Sequence, residues 1–308
     1  MNSGSRRAII AAFLANLGIA VAKFVGWAIT GASSMLAEAI HSVADTSNQG
    51  LLLLGGALSR RREDAEHPFG YGRERYFWSF VVALVIFALG AAFALVEGVS
   101  KLRHPHPLES PGWALAILAV GLVFEGASLL TAIRESAPLR RGRSWWRFIH
   151  EAKVPELPVV LLEDSGALVG LTLAMLGIGL AQLTGDARFD ALGSLAIGVL
   201  LGVIAVVLAM EMRSLLLGEA ARREDARALR RVVEDHPLVH RLIHMRTEHI
   251  GPEQLLVAVK VEMDRSLDFE KLVAGINDLE QALRRAVPIA RVIYVEPDIY
   301  RPRREPQE

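Results

Sequence analysis

The chain contains no cysteine. That excludes disulfides, thiolate metal sites and cysteine nucleophiles, and leaves N and O donors for any metal chemistry. Net charge is missing too: 34 Lys and Arg cancel 34 Asp and Glu, so no global field draws in nucleic acid. Neither a phosphate-binding glycine loop nor a nucleophile constellation occurs, which makes an enzyme the weakest function class. No internal repeat stands out. The opening MNSGSRR leads straight into an apolar run with no A-x-A-like cleavage site, and reads as a cytoplasmic tail and not as a removed signal peptide.

What the chain does have is apolar length. Of its 308 residues, 52% are hydrophobic, and the mean hydropathy is +0.33. The apolar residues gather in runs of about 20, enough to cross a hydrocarbon core as a helix. Six spans can be drawn, at roughly 8–30, 33–57, 76–100, 112–134, 158–182 and 189–217. All should be helical, because a segment in lipid must satisfy its own backbone hydrogen bonds. Arg6, Arg7, Arg60–Arg62, Arg73, Arg75, Arg140, Arg141, Arg143, Arg147 and Lys153 fall on one side, against Lys101, Arg103 and Arg188 on the other. Both termini are therefore expected in the cytoplasm. The Arg-rich loop at 140–147, with Trp145 and Trp146, is either a headgroup contact or a plain orientation signal.

Composition changes near residue 218. A polar helix (about 222–235), strands LIHMRTEHI and LLVAVKVEM, a helix (about 267–286) and a last strand RVIYVEP give an αββαβ order. The expected organisation is a six-helix transmembrane domain (1–217), a cytoplasmic α+β, ferredoxin- or metallochaperone-like domain for dimerisation and regulation (218–300), and a disordered tail (301–308).

Within the second span, AEAIHSVADTSNQ carries Glu38, His41, Asp45 and Asn48. His41 and Asp45 are four apart, on one helical face and about 6 Å apart along the axis, where an imidazole and a carboxylate can share one divalent cation. Glu38 and Asn48 lie on the same stripe. Buried ionisable groups are costly in lipid unless paired or functional. The fifth span adds Glu163 and Asp164, the ionisable residues of its apolar run. N and O ligands from two helices suit Zn²⁺ at tetrahedral geometry, and carboxylate-rich sites also suit Mn²⁺ or Fe²⁺. Asn16 is either packing glue or a path residue, and Glu125 either a proton relay or a helix–helix hydrogen bond. Glu97 and Asp190 sit near outer ends and read as interfacial.

These residues resemble the cation diffusion facilitator (cation efflux) family. The resemblance runs through ANLGIAVAKFVGWAITGASSMLAEAIHSVADTSNQ, the loop EHPFGYGRERYFW and the order of elements after residue 219. It implies homodimers with six spans and a cytoplasmic metallochaperone-like domain, exporting Zn²⁺ or related divalent ions in exchange for protons. The segment SWWRFIHEAKVPELPVVLLEDSGALVG is similar to the branch that includes a mitochondrial zinc transporter. On that resemblance His41, Asp45 and Asp164 carry over as metal ligands, while Val160 stands where a histidine is usual. Glu163 is turned about 100° from Asp164 on an ideal helix; it either completes the site through local unwinding or binds a proton. His244 matches a position that binds metal in some members, but Lys260, Val295 and Pro297 stand where further ligands are expected, so a binuclear site there is not. His67 offers either a weak interface metal site with Asp64 or Glu66, or a loop-structuring hydrogen bond. His236 and His240 flank a proline and read as solvated surface.

The expected activity is alternating access in a multi-pass protein of a bacterial inner (plasma) membrane. Divalent metal ions and protons are its substrates, the lipid bilayer and a second copy are its partners, nucleic acid is not, and there is no permanently bound cofactor. His41, Asp45 and Asp164 bind the ion when deprotonated and release it when protonated. The competing readings are a regulator or structural subunit that keeps the fold without transport, an Mn²⁺ or Fe²⁺ exporter, and an organic-cation transporter using Glu38 and Glu125.

Overall fold

The computed structural model describes residues 33–105, 111–140 and 142–301, with scattered positions between 13 and 28; at 33–42, 44, 87 and 113 the description is of the backbone alone. The chain divides into two compact units. One takes the described residues up to Arg61 together with Glu74–Arg213; the other takes Arg62–Arg73 and the residues from Ser214 onward.

The first unit is helical. Helix α1 runs Ser33–Leu58. A continuous rod, Glu74–Arg103, follows; it comprises α2 (Glu74–Val85), a π-helical stretch (Ile86–Ala92) and α3 (Phe93–Arg103). Then come α4 (Pro111–Arg140), a short α5 (Trp145–Glu151), α6 (Glu156–Thr184) and α7 (Arg188–Leu217). Among the described residues, four helices are long and apolar enough to cross a membrane by length and composition: Glu74–Arg103, Ala114–Arg140, Glu156–Thr184 and Arg188–Leu217. Helix α1, with 26 residues, has the length, but its apolar run is interrupted by the polar stretch Asp45, Thr46, Ser47, Asn48 and Gln49. The expected first span, 8–30, falls largely outside the described residues. Val96 and Val123 are each 70% exposed, an outward apolar face that suits a lipid surround.

Helix α4 packs along α6, and α1 along α2. Leu52 of α1, Val82 and Ala83 of α2, Val159 of α6 and Leu208 of α7 meet in one buried cluster. Helices α6 and α7 come together where both lack a side chain: a Cβ added at Gly193 would lie 3.2 Å from the Leu173 carbonyl oxygen and 3.5 Å from Gly177 Cα. Without a hydrophobic drive between helices in lipid, such small-residue seams let backbones approach and gain dispersion contacts.

The second unit contains α8 (Arg223–Glu234), β1 (Val239–Gly251), β2 (Gln254–Met263), α9 (Phe269–Ala286) and β3 (Ala290–Pro297). The sheet order is β1-β2-β3, with β1 antiparallel and β3 parallel to β2. Leu255, Val257, Val259 and Val261 alternate inward along β2, as a period of two requires. They meet Leu229 and Val233 of α8 and Leu279 and Leu283 of α9, each pair four apart on one helical face. Asp268 caps α9 by accepting the Lys271 N–H at 2.8 Å.

The 62–73 connection belongs to this unit and is tightly organised. Asp64 accepts the N–H of His67 at 2.7 Å, the N–H of Glu66 at 3.1 Å and the Tyr71 hydroxyl at 2.6 Å. The Tyr71 hydroxyl, and after it the His67 N–H, holds the Asp64 carboxyl below the usual range. Gly72 then passes against the end of β1, where a Cβ would meet the Ile250 carbonyl oxygen at 2.6 Å. Arg73 pairs with Glu248 beside that contact. Of the expected tail 301–308, all but Arg301 lies outside the described residues.

Candidate metal centre

Helix α6 starts behind Pro155 and carries Pro158 in its first turn, where a missing N–H costs nothing. From there the helix delivers Glu163 and Asp164 two turns further on. Asp164 is 8% exposed, and its Oδ2 accepts the Ser128 hydroxyl of α4 at 2.8 Å. Glu163 faces α1 instead: its Oε1 accepts the Asn48 side-chain N–H at 2.8 Å. Asn48 is 2% exposed. Asp45, three residues earlier on α1, lies within electrostatic reach of both Glu163 and Asp164, and Glu125 of α4 lies within reach of Glu163.

Three helices therefore bring Asp45, Asn48, Glu125, Ser128, Glu163 and Asp164 into one polar cluster. No Lys or Arg among the described residues interacts with Glu163 or Asp164. The helix backbone places His41 four residues before Asp45, and Glu38 three residues before His41, toward the α1 N-terminus; their side chains, and all of Asn16, are outside the described residues. Among the described side chains no three His, Asp or Glu converge as a ready-made metal site. The acids are grouped, and Glu163 and Asp164 each accept a neutral donor.

Val160 packs with both Val159's cluster and the cluster around Ala132, Phe148 and Leu161. It contributes apolar packing at the α6 position one turn before Asp164. Other residues singled out from the sequence sit elsewhere. Asp190 pairs with Lys101 at 3.0 Å, and Glu97 lies 3.9 Å from the same ammonium. His67 Nδ1 is 3.4 Å from Asp64, whose oxygens already serve the loop. His244 is exposed on β1 opposite Lys260. Lys260 reaches Glu296 at 2.8 Å and Asp298 at 3.1 Å, and these two acids raise its pKa, Glu296 foremost. His240 is exposed. His236 is not solvated surface, contrary to expectation: it is 7% exposed, with Nε2 3.3 Å from Asp278 of α9. It links the end of α8 to α9 through a residue 42 positions later.

Three functional contacts have no distinct signature in the sequence pattern. Ser128 is an ordinary serine in an apolar run, and only the α4–α6 packing reveals its bond to Asp164. Arg75 and Glu156 form a buried bidentate pair, with the second contact at 2.8 Å and side chains 7% and 9% exposed. Their proximity to apolar runs was the available signal, but Arg75 counted only as an orientation charge. His150 of α5 pairs with Glu211 of α7.

The Cation efflux transmembrane domain model matches residues 9–217, about two thirds of the chain. The chain belongs to the cation efflux family. Within that family it is similar to the mitochondrial proton-coupled zinc antiporter SLC30A9 of Homo sapiens, 36% identical over 272 residues that cover 84% of this chain and 47% of the relative. It is 32% identical over 262 residues to Metal tolerance protein C4 of Arabidopsis thaliana, covering 84% of this chain and 57% of that one. It is 27% identical over 286 residues to the cation-efflux pump FieF of Pectobacterium atrosepticum, covering 93% and 90%. The chain thus spans about half the length of the SLC30A9 relative and nearly all of the bacterial pump. The cation efflux match and the polar cluster coincide in the same residues: Asp45, Asn48, Glu125, Ser128, Glu163 and Asp164 all fall within 9–217.

Proposed function

We propose that this cation efflux protein is a secondary transporter that exports a divalent metal ion, Zn²⁺ foremost, in exchange for protons. It works by alternating access as a homodimer, with six spans and both termini cytoplasmic. The observation that supports this most directly is the cross-helix cluster: Asn48 bonds Glu163 and Ser128 bonds Asp164, with Asp45 in reach of both. Neutral donors orient the carboxylates without cancelling their charge, so the cluster favours a cation. His41, one turn before Asp45, supplies the nitrogen ligand in this reading. Binding needs deprotonated ligands, so arrival of protons from the other face expels the ion. The similarity to a proton-coupled zinc antiporter supports the zinc and proton assignment. The near-full-length match to a bacterial pump supports placement in a bacterial inner membrane.

A second reading, Mn²⁺ or Fe²⁺ in place of Zn²⁺, draws on Val160. With an apolar side chain there, α6 contributes carboxylates and no imidazole, and oxygen-rich sites favour harder ions.

Flux into proteoliposomes loaded with a zinc dye, under an imposed pH gradient, tests the proposal. Asp45→Asn and Asp164→Asn are expected to lower Zn²⁺ flux by about 100-fold or more. Transport at the parent's rate by both variants would remove these residues from the path, and a parent that moves no divalent ion would leave the chain a regulator or structural subunit.

A further inference from the structure

The Asn48 side chain has two N–H donors and one carbonyl acceptor. Glu163 accepts the Nδ2 hydrogen at 2.8 Å, which fixes the amide's orientation, since a carboxylate takes donors. The other end, Oδ1, is buried and meets no hydrogen-bond donor among the described residues. Buried acceptors find a partner in nearly every native protein, so an orphan of this kind asks for one. Its surroundings say which kind. Asp45 is one turn away on the same helix, Glu163 is on the other side of the amide, and Asp164 follows Glu163. A carbonyl oxygen on an amide that bonds Glu163 and lies one turn from Asp45 suits a cation better than any other partner.

The geometry points to Asn48 as a direct ligand of the transported ion, through Oδ1, in place of the imidazole that Val160 does not provide. This rests on the proposed cation path and specifies its coordination. Asn48 then has two functions. Its N–H holds Glu163 at the site, and its carbonyl supplies a neutral oxygen that makes the donor set harder. A harder donor set favours Mn²⁺ and Zn²⁺ over Cd²⁺ relative to a site with an added imidazole.

Calorimetric titration of the full-length detergent-purified protein with ZnCl₂, MnCl₂ or CdCl₂ at fixed pH tests this, in the parent, Asn48→Leu, Glu163→Gln and the two combined. Asn48→Leu is expected to weaken binding about tenfold both in the parent and in the Glu163→Gln background, with the loss larger for Mn²⁺ than for Cd²⁺. If Asn48→Leu costs nothing once Glu163 is already Gln, the amide acts only through Glu163 and the ligand assignment is overturned. Equal losses for Mn²⁺ and Cd²⁺ overturn it as well. The combination Asn48→Asp with Glu163→Gln guards against a folding defect, because it exchanges amide and carboxylate and keeps charge, volume and hydrogen bond. It is expected to bind more tightly than Asn48→Leu with Glu163→Gln, and failure to do so counts against the ligand role. Asp45→Asn separates the two levels: loss of binding there with a silent Asn48 sinks only this inference, whereas retained binding in Asp45→Asn removes the cation path itself.

Discussion

In the sheet unit, Glu296 and Asp298 both reach the Lys260 ammonium, at 2.8 and 3.1 Å, and Arg265 meets Glu262 at 2.7 Å. In the helical unit, Glu163 and Asp164 are held by an amide and a hydroxyl. The two regions use similar acids and reach opposite electrostatic ends. A carboxylate matched by Lys or Arg is spent on structure, and an incoming metal ion must displace a charge already bound. A carboxylate positioned by a neutral donor keeps its charge for a mobile cation. The lesson extends to His244: it sits opposite Lys260, whose fixed charge occupies the neighbourhood where a metal would be needed.

The helical unit contains its own exception, and breaking it should have the largest effect. Arg75 and Glu156 are matched and buried, so Arg75→Ala leaves a carboxylate without its partner. Thermal unfolding in detergent is expected to show a loss of about 3–5 kcal/mol, because an uncompensated buried charge is left behind. A much smaller loss would mean that water reaches Glu156. Ser128→Ala probes the other side of the comparison. It removes a neutral donor from Asp164, and metal affinity by titration is expected to fall about tenfold while unfolding barely changes. Parent-like affinity would show that Asp164 needs no positioning. Lys260→Ala should have the smallest effect, since its partners are 63% and 41% exposed; flux and metal affinity are expected at the parent's values. A metal site that appears at His244 in that variant would show that the ammonium is what keeps it closed.

Much of the scaffold was legible because lipid and sheet packing impose strong periods. Helices α6 and α7 were drawn within two residues at each end, since long apolar runs stop at Pro155, Gly185 and the polar segment after Leu217. The strands of the C-terminal unit stood out as LIHMRTEHI, LLVAVKVEM and RVIYVEP, and each runs slightly beyond that segment. Helix α5 was missed: at seven residues, WWRFIHE is too short for a helical period to show. The candidate site was half legible. A histidine and acids in apolar runs announce themselves by their cost. The partners that hold them do not, because Ser128 and Asn48 are common residues whose roles depend on which helix faces which. His236 went astray for the same reason, since its partner Asp278 is set by the fold of a domain and not by neighbouring sequence.

The connection at 62–73 bears on how this chain can be divided. It lies in sequence between two helices of the helical unit, yet its backbone is fitted against Gly251 and its Arg73 pairs with Glu248. A protein ended after Leu217 would therefore lose more than a terminal domain. It would strip the seat from a loop that ties α1 to α2, so the cut that looks clean on a hydropathy trace is not a clean cut in the folded chain. Trimming experiments on this protein should keep the β1–β2 hairpin, or replace Gly72 and Arg73 along with it.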